Sequence, residues 1–134
     1  MYPWFGKYSE IFYSILRIVS GVLFACHGAQ KLFGIFGAQG TVSEPLMIVA
    51  GIIEFFGGLL ILLGLGAAYA GFIASGQMAV AYFKVHAPQG FWPIENSGEL
   101  AALYCFVFLY IAFKGSGSLS IDGLIRKRNV KSAG

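Results

Sequence analysis

Arg17, His27 and Lys31 fall within one apolar run of this chain, Glu54 near the middle of a second, and Gln77 and Lys84 in a third. His86 and Glu99 flank the approach to a fourth. These side chains can exchange protons, pair charges or hydrogen-bond a polar head group. Placing a charge at the centre of a bilayer costs about 2.5 to 3.5 kcal/mol even on lenient insertion scales, so each needs a partner or a task. Arg17, Gly21, Phe24, Gly28 and Lys31 are spaced so that they share one helix face. Glycines on that face let a neighbouring backbone approach closely, which turns the stripe toward other helices rather than lipid. His27 lies nearly a quarter turn away and can look into the same interior. Glu54 is flanked on its own face by Gly51, Gly57 and Gly58. A carboxylate there is paired or protonated, and Arg17, read as lying at comparable depth, is the expected partner in a buried Arg17 to Glu54 ion pair.

The elements that must hold these groups are helices long enough to cross a membrane. Of the 134 residues, 57% are hydrophobic and 11% charged, and the mean hydropathy is +0.75. That balance excludes an ordinary soluble domain. A spanning helix takes about 20 largely apolar residues, and four segments fit, at roughly 9–33, 45–65, 67–85 and 98–113. The fold expected is an all-α, integral membrane four-helix bundle, a single domain over 1–134, with connections at 34–44 and 86–97 and a tight turn at Gly64 and Gly66. Cations gather in the tail at 114–134 (Lys114, Arg126, Lys127, Arg128, Lys131), which places both termini in the cytoplasm by the positive-inside rule. Lys31 and Lys84 then sit at the outer ends of their helices, against the direction of that rule. The stretch from Leu23 to Cys26 resembles a lipoprotein cleavage site, but Phe24 is bulky and the apolar run continues beyond it, so the first helix is expected to be retained.

Ranked by depth under this topology, His27, Lys31, Lys84, His86 and Glu99 occupy the outer third, with Gln77, Glu54 and Arg17 progressively deeper. Together they outline a polar funnel opening outward, with His27, Lys31, Gln77, Lys84, His86 and Glu99 as its ligand-binding residues. Each also has a structural use: Lys31 and Lys84 can snorkel to head groups, Gln77 can bond a neighbouring helix, and Glu99 suits a helix N-terminus. Trp4, Tyr8, Phe91 and Trp92 match interfacial aromatic belts, and Phe91 to Ile94 could instead fold over the funnel mouth. Residues 121–128 suit a short helix on an anionic leaflet, or a disordered basic end. Cys26 and Cys105 lack CxxC spacing and read as packing residues. No metal-ligand spacing, nucleotide loop, haem attachment motif or nucleophile elbow is present, which leaves the catalytic residues unassigned.

The ordered set Arg17, Gly21, His27-Gly28, Lys31 to Gly34, Glu54 with Gly57 and Gly58, Met78 with Ala81, His86, Gly98-Glu99, and Gly115, Gly117, Ser120 and Asp122 resembles the DoxX family over nearly the whole chain. The resemblance implies a small, multi-pass protein of a prokaryotic plasma (inner) membrane, related to the membrane subunit of a thiosulfate:quinone oxidoreductase. The function expected on that basis is a quinone-associated subunit of a thiol or oxidative-stress redox system. It would bind quinone, whose carbonyls would accept from His27 and Lys31 while Glu54 and His86 handle protons. Its partners would be the lipid bilayer, a soluble or membrane redox protein and a second copy of itself, without nucleic acid. The segment from Ala87 to Ser97, with Glu95 and Asn96 as extra polar groups, departs from the family pattern. The competing expectation is a non-enzymatic scaffold or assembly factor for another membrane complex, and a third is transport of a small anion.

Overall fold

Two glycine ladders set the register of the molecule. In the computed structural model, which describes residues 4–134, a short 3-10 turn at Gly6–Tyr8 leads into α1 (Ser9–Phe33), which packs antiparallel on α2 (Pro45–Leu63). A Cβ added at Gly21 would lie 2.5 Å from the Leu62 nitrogen and 2.7 Å from the Gly58 carbonyl oxygen. At Gly28 it would collide with Phe55 and lie 2.7 Å from the Gly51 carbonyl oxygen. The two backbones therefore touch where only glycine leaves room, once every two turns on each helix. α1 stops at Gly34 and α2 at Gly64, both in the left-handed conformation that favours glycine at a helix C-terminus. Pro45 opens α2 at the first helical position, where its missing N–H costs nothing.

The second pair is α3 (Ala67–Ala81) and α5 (Glu99–Lys114), which pack through small residues, Ala67, Ala70, Gly71 and Ala74, against Tyr104, Phe108 and Ile111. Phe24 joins the pairs: its ring lies 4.6 Å from that of Phe108 and 5.7 Å from that of Tyr104, which is itself stacked on Phe108 at 5.2 Å. α3 does not end at Ala81. It continues through a π-helical turn, Tyr82–His86, and a 3-10 turn, Ala87–Gln89, before α4 (Pro93–Asn96). α6 (Ile121–Ala133) closes the chain, with Ser120 capping it by accepting from the Gly123 N–H at 3.0 Å.

All the described residues with regular structure are helical, without strands. Two helical stretches, Gly6–Phe33 and Pro45–Leu63, are long and apolar enough to cross a membrane. α3 and α5 are shorter, at 15 and 16 residues. The connection read as a turn at 86–97 is itself mostly helical, because the fully buried Asn96 organises it. The Asn96 amide donates to Tyr82 Oη at 3.2 Å and to the Gly90 carbonyl at 2.9 Å, and its Oδ1 accepts from the Gly98 N–H at 2.8 Å. Phe91 and Trp92 point outward, 81% and 60% exposed, and do not line the cavity described below. The two cysteines are free thiols.

Candidate functional site

The α1 to α2 register decides which charges meet. Because Gly28 faces Gly51 and Phe55, Glu54 comes level with the turn of α1 that carries His27 and Lys31. Arg17 is ten residues earlier, about 15 Å down the helix axis at 1.5 Å per residue. The expected Arg17 to Glu54 pair does not form. Glu54 pairs with Lys31, Nζ to Oε1 at 2.5 Å, and the same Oε1 accepts from Gln77 Nε2 at 2.9 Å. Glu54 is buried to 2% exposure, whereas the Lys31 side chain keeps 24%. The arrangement is a buried carboxylate served from its own neighbouring helix and from α3, and it links the two helix pairs.

Above this triad lies a cavity of about 630 Å³ between the pairs. Its walls are mostly apolar, from α2 (Met47, Ala50, Ile53), α3 (Ile73, Met78, Val80) and α5 (Leu100, Tyr104), with Phe24 from α1. Its polar groups come from Glu54, Gln77, Lys31, His27, Lys84 and His86, with Glu44 at the rim. A cavity of this size and composition is the ordinary form of a small-molecule site. His27 stands at an exposed edge, its ring edge-on to Tyr104 at 6.3 Å. The π-helical turn, a distortion often found at functional sites, carries Lys84 and His86. His86 Nδ1 lies 3.1 Å from the Asn96 carbonyl oxygen. A carbonyl only accepts, so Nδ1 carries the proton, and in the neutral ring Nε2 is left as a free base.

Of the residues read as a funnel, the structure brings His27, Lys31, Gln77, Lys84 and His86 to one cavity together with Glu54. It does not bring Glu99, which stands exposed in the first turn of α5 while Leu100, Ala101 and Tyr104 face the cavity. Glu44 and Tyr104 were not legible as site residues. Glu44 falls in a connection, and Tyr104 follows the helical spacing of the apolar α5 core, so nothing in its position separates it from packing.

Arg17 belongs to a second polar assembly at the other end. Its Nη1 donates to the carbonyls of Ile61 at 2.7 Å and Leu62 at 2.8 Å, the last turn of α2, and its Nη2 donates to the Leu119 carbonyl at 2.6 Å. A cation there meets the negative end of the helix and carbonyls without intrahelical partners. The Gly-Ser segment after α5 folds onto the same place. Asp122 Oδ2 accepts from the Gly66 N–H at 2.8 Å and from Ser116 Oγ at 2.6 Å, while the Asp122 N–H donates to the Gly64 carbonyl at 3.0 Å. Tyr13 Oη donates to the Gly115 carbonyl at 2.5 Å. Residues 115–122 are thus a clasp over the α2 to α3 turn, built from groups that hold backbone rather than face a cavity.

The family model described as DoxX matches residues 12–87. A protein of Haemophilus influenzae described as uncharacterized is 43% identical over 129 residues, covering 91% of this chain and 96% of its own. A Bacillus subtilis protein named "Putative oxidoreductase CatD" is 28% identical over 128 residues, covering 91% of this chain and 92% of its own. No solved structure matches the chain.

Proposed function

This chain belongs to the DoxX family of membrane proteins, and from that premise we propose that it is an integral subunit of a quinone-linked oxidoreductase system, with the cavity between its helix pairs as the binding site for a quinone-type ligand. The observation that carries this reading is the cavity's division into a long apolar wall and one ionisable end. The wall suits a ring and an isoprenoid tail, and Lys31, Glu54, Gln77, His27 and His86 suit a head group with oxygens on it. A quinone supplies two-electron, two-proton chemistry, and a partner protein supplies or removes the electrons. Lys31 holds Glu54 ionised, Gln77 fixes the carboxylate's orientation, and the His86 Nε2 is available to take a proton near the mouth. The oxidoreductase name of the Bacillus relative agrees with this class of chemistry.

The proposal places the protein as a multi-pass chain in the cytoplasmic membrane. α3 reaches spanning length by adding the π-helical turn to its α-helical residues, and the basic tail from Lys114 to Lys131 keeps the clasp on the cytoplasmic side. The cavity then opens toward the outer leaflet, where a lipid-soluble ligand arrives laterally. Extraction in mild detergent followed by mass spectrometry tests this. Gly76 lines the cavity, and a Cβ there meets no atom within 4 Å, so Gly76→Phe fills the space without disturbing the packing. Near-stoichiometric quinone in the parent protein, and its loss in Gly76→Phe, is the expected result. Phospholipid alone in both would sink the reading.

A further inference from the structure

The polar end of the cavity has an excess of one hydrogen-bonding sense. Glu54 Oε1 is saturated by Lys31 and Gln77, but Glu54 Oε2 has no partner, and neither has Gln77 Oε1. Both oxygens are fully buried, both belong to side chains that line the cavity, and the Glu54 residue is 98% withdrawn from solvent by its 2% exposure. An ionised carboxylate oxygen and an amide oxygen can only accept. Leaving such groups unpaired in an apolar interior is costly, and a native structure that does so points to something that completes them. Lys31, the nearest donor, is already engaged with Glu54. The floor of the site therefore asks for a ligand that donates.

Resting on the quinone-site reading above, we propose that this cavity recognises the reduced, hydroxyl-bearing form of its ligand, with a hydroquinone O–H donating to Glu54 Oε2 and Gln77 Oε1 strengthening the same preference. The oxidised form presents carbonyls, which accept and so meet two acceptors with no proton between them. A hydrogen bond to a charged group is stronger than a neutral one, enough for about a tenfold difference in affinity between the two forms. Tighter binding of the reduced form raises the potential of the bound couple, by about 30 mV for each tenfold in a two-electron exchange.

The test is anaerobic equilibrium binding of decylubiquinone and of decylubiquinol to the full-length protein in lipid nanodiscs. The parent protein is expected to bind the quinol about tenfold more tightly. Glu54→Gln places an amide N–H₂ where the acceptor was, so the preference should vanish or reverse. Gln77→Met keeps the Lys31 to Glu54 pair and its fold while removing one acceptor, so the preference should shrink without reversing. Binding of both forms with equal affinity, or tighter binding of the quinone, overturns this inference while leaving the quinone-site reading intact. Binding of neither form overturns both.

Discussion

The two polar assemblies lie at opposite ends of one helical scaffold and treat their hydrogen bonds in opposite ways. At the clasp, Arg17, Asp122, Ser116, Ser120 and Tyr13 spend their polar atoms on backbone carbonyls, N–H groups and each other. At the cavity, Glu54 and Gln77 share one contact and leave an oxygen each without a partner. A satisfied buried network stabilises and fixes a fold, whereas a partly satisfied one marks a place where stability has been given up for something else. The difference separates residues that share a type and a setting: Arg17 and Lys31 are both cations on the same face of α1, yet one fastens chain segments and the other holds a carboxylate at a ligand site.

The seam between α1 and α2 serves both ends, so breaking it should erase the distinction. Gly28→Val places side-chain carbons where the Phe55 backbone already lies, and the helices cannot separate without misaligning Lys31 and Glu54. We expect little folded protein in the membrane fraction, measured by size-exclusion chromatography after extraction. Overpacking usually costs about 1 to 3 kcal/mol, and more where the obstacle is backbone. A well-folded Gly28→Val protein would mean that the seam is looser than its glycines imply.

Arg17→Met tests the clasp alone. The substitution keeps the apolar bulk and strands the carbonyls of Leu62 and Leu119 in the interior, for a loss of about 3 kcal/mol at roughly 1 to 3 kcal/mol per unsatisfied group. Denaturant titration followed by circular dichroism should show that loss. Ligand affinity of the fraction that remains folded should not change, because Arg17 does not line the cavity. A parallel loss of affinity would show that the two ends are coupled.

Much of this organisation was readable in the residue order. α1 begins and ends where the apolar run does, the turn at Gly64 and Gly66 is as tight as its glycines imply, and most of the residues expected at a common pocket do line one. The charge pairing was not readable, because hydropathy gives depth to within a few residues and the partner of Glu54 depends on register. Gly21, Gly28, Gly51 and Gly58 carry that register in their seven-residue spacing. Matching the two ladders first would have set Glu54 beside Lys31 and left Arg17 for the end of α2. The clasp was hidden for a different reason. Its polar groups act on backbone atoms, which have no sequence signature, so a Gly- and Ser-rich stretch looked like a linker before a basic tail.

The cavity should respond in the reverse sense to the clasp. Glu54→Gln removes a buried charge that is only half satisfied, and Lys31, partly exposed, can extend its ammonium toward the interface. The expected change in stability is therefore small, about 1 kcal/mol or less. A loss as large as that of Arg17→Met would make the triad a structural fastener, and the contrast between the ends would fail.

The smallest effect is expected at the surface pair near the clasp. Lys114 Nζ lies 2.9 Å from Glu10 Oε1, with 31% and 48% of the two side chains exposed. Its hydrogen bond to Glu10 holds the Lys114 ammonium above its ordinary value. A raised lysine value means that any contribution is fully present below the ordinary value of about 10.4 and fades only as the pH climbs past the raised one. Between pH 6 and 9 the pair should thus be insensitive to pH, about two units or more short of that region at neutrality. Exposed pairs of this kind contribute little because solvent screens them and two long side chains must be ordered. Lys114→Ala should leave the unfolding midpoint unmoved at any pH in that window, in low or high salt. A clear, salt-dependent shift would show that the clasp relies on charge at its rim as well as on the backbone bonds at its centre.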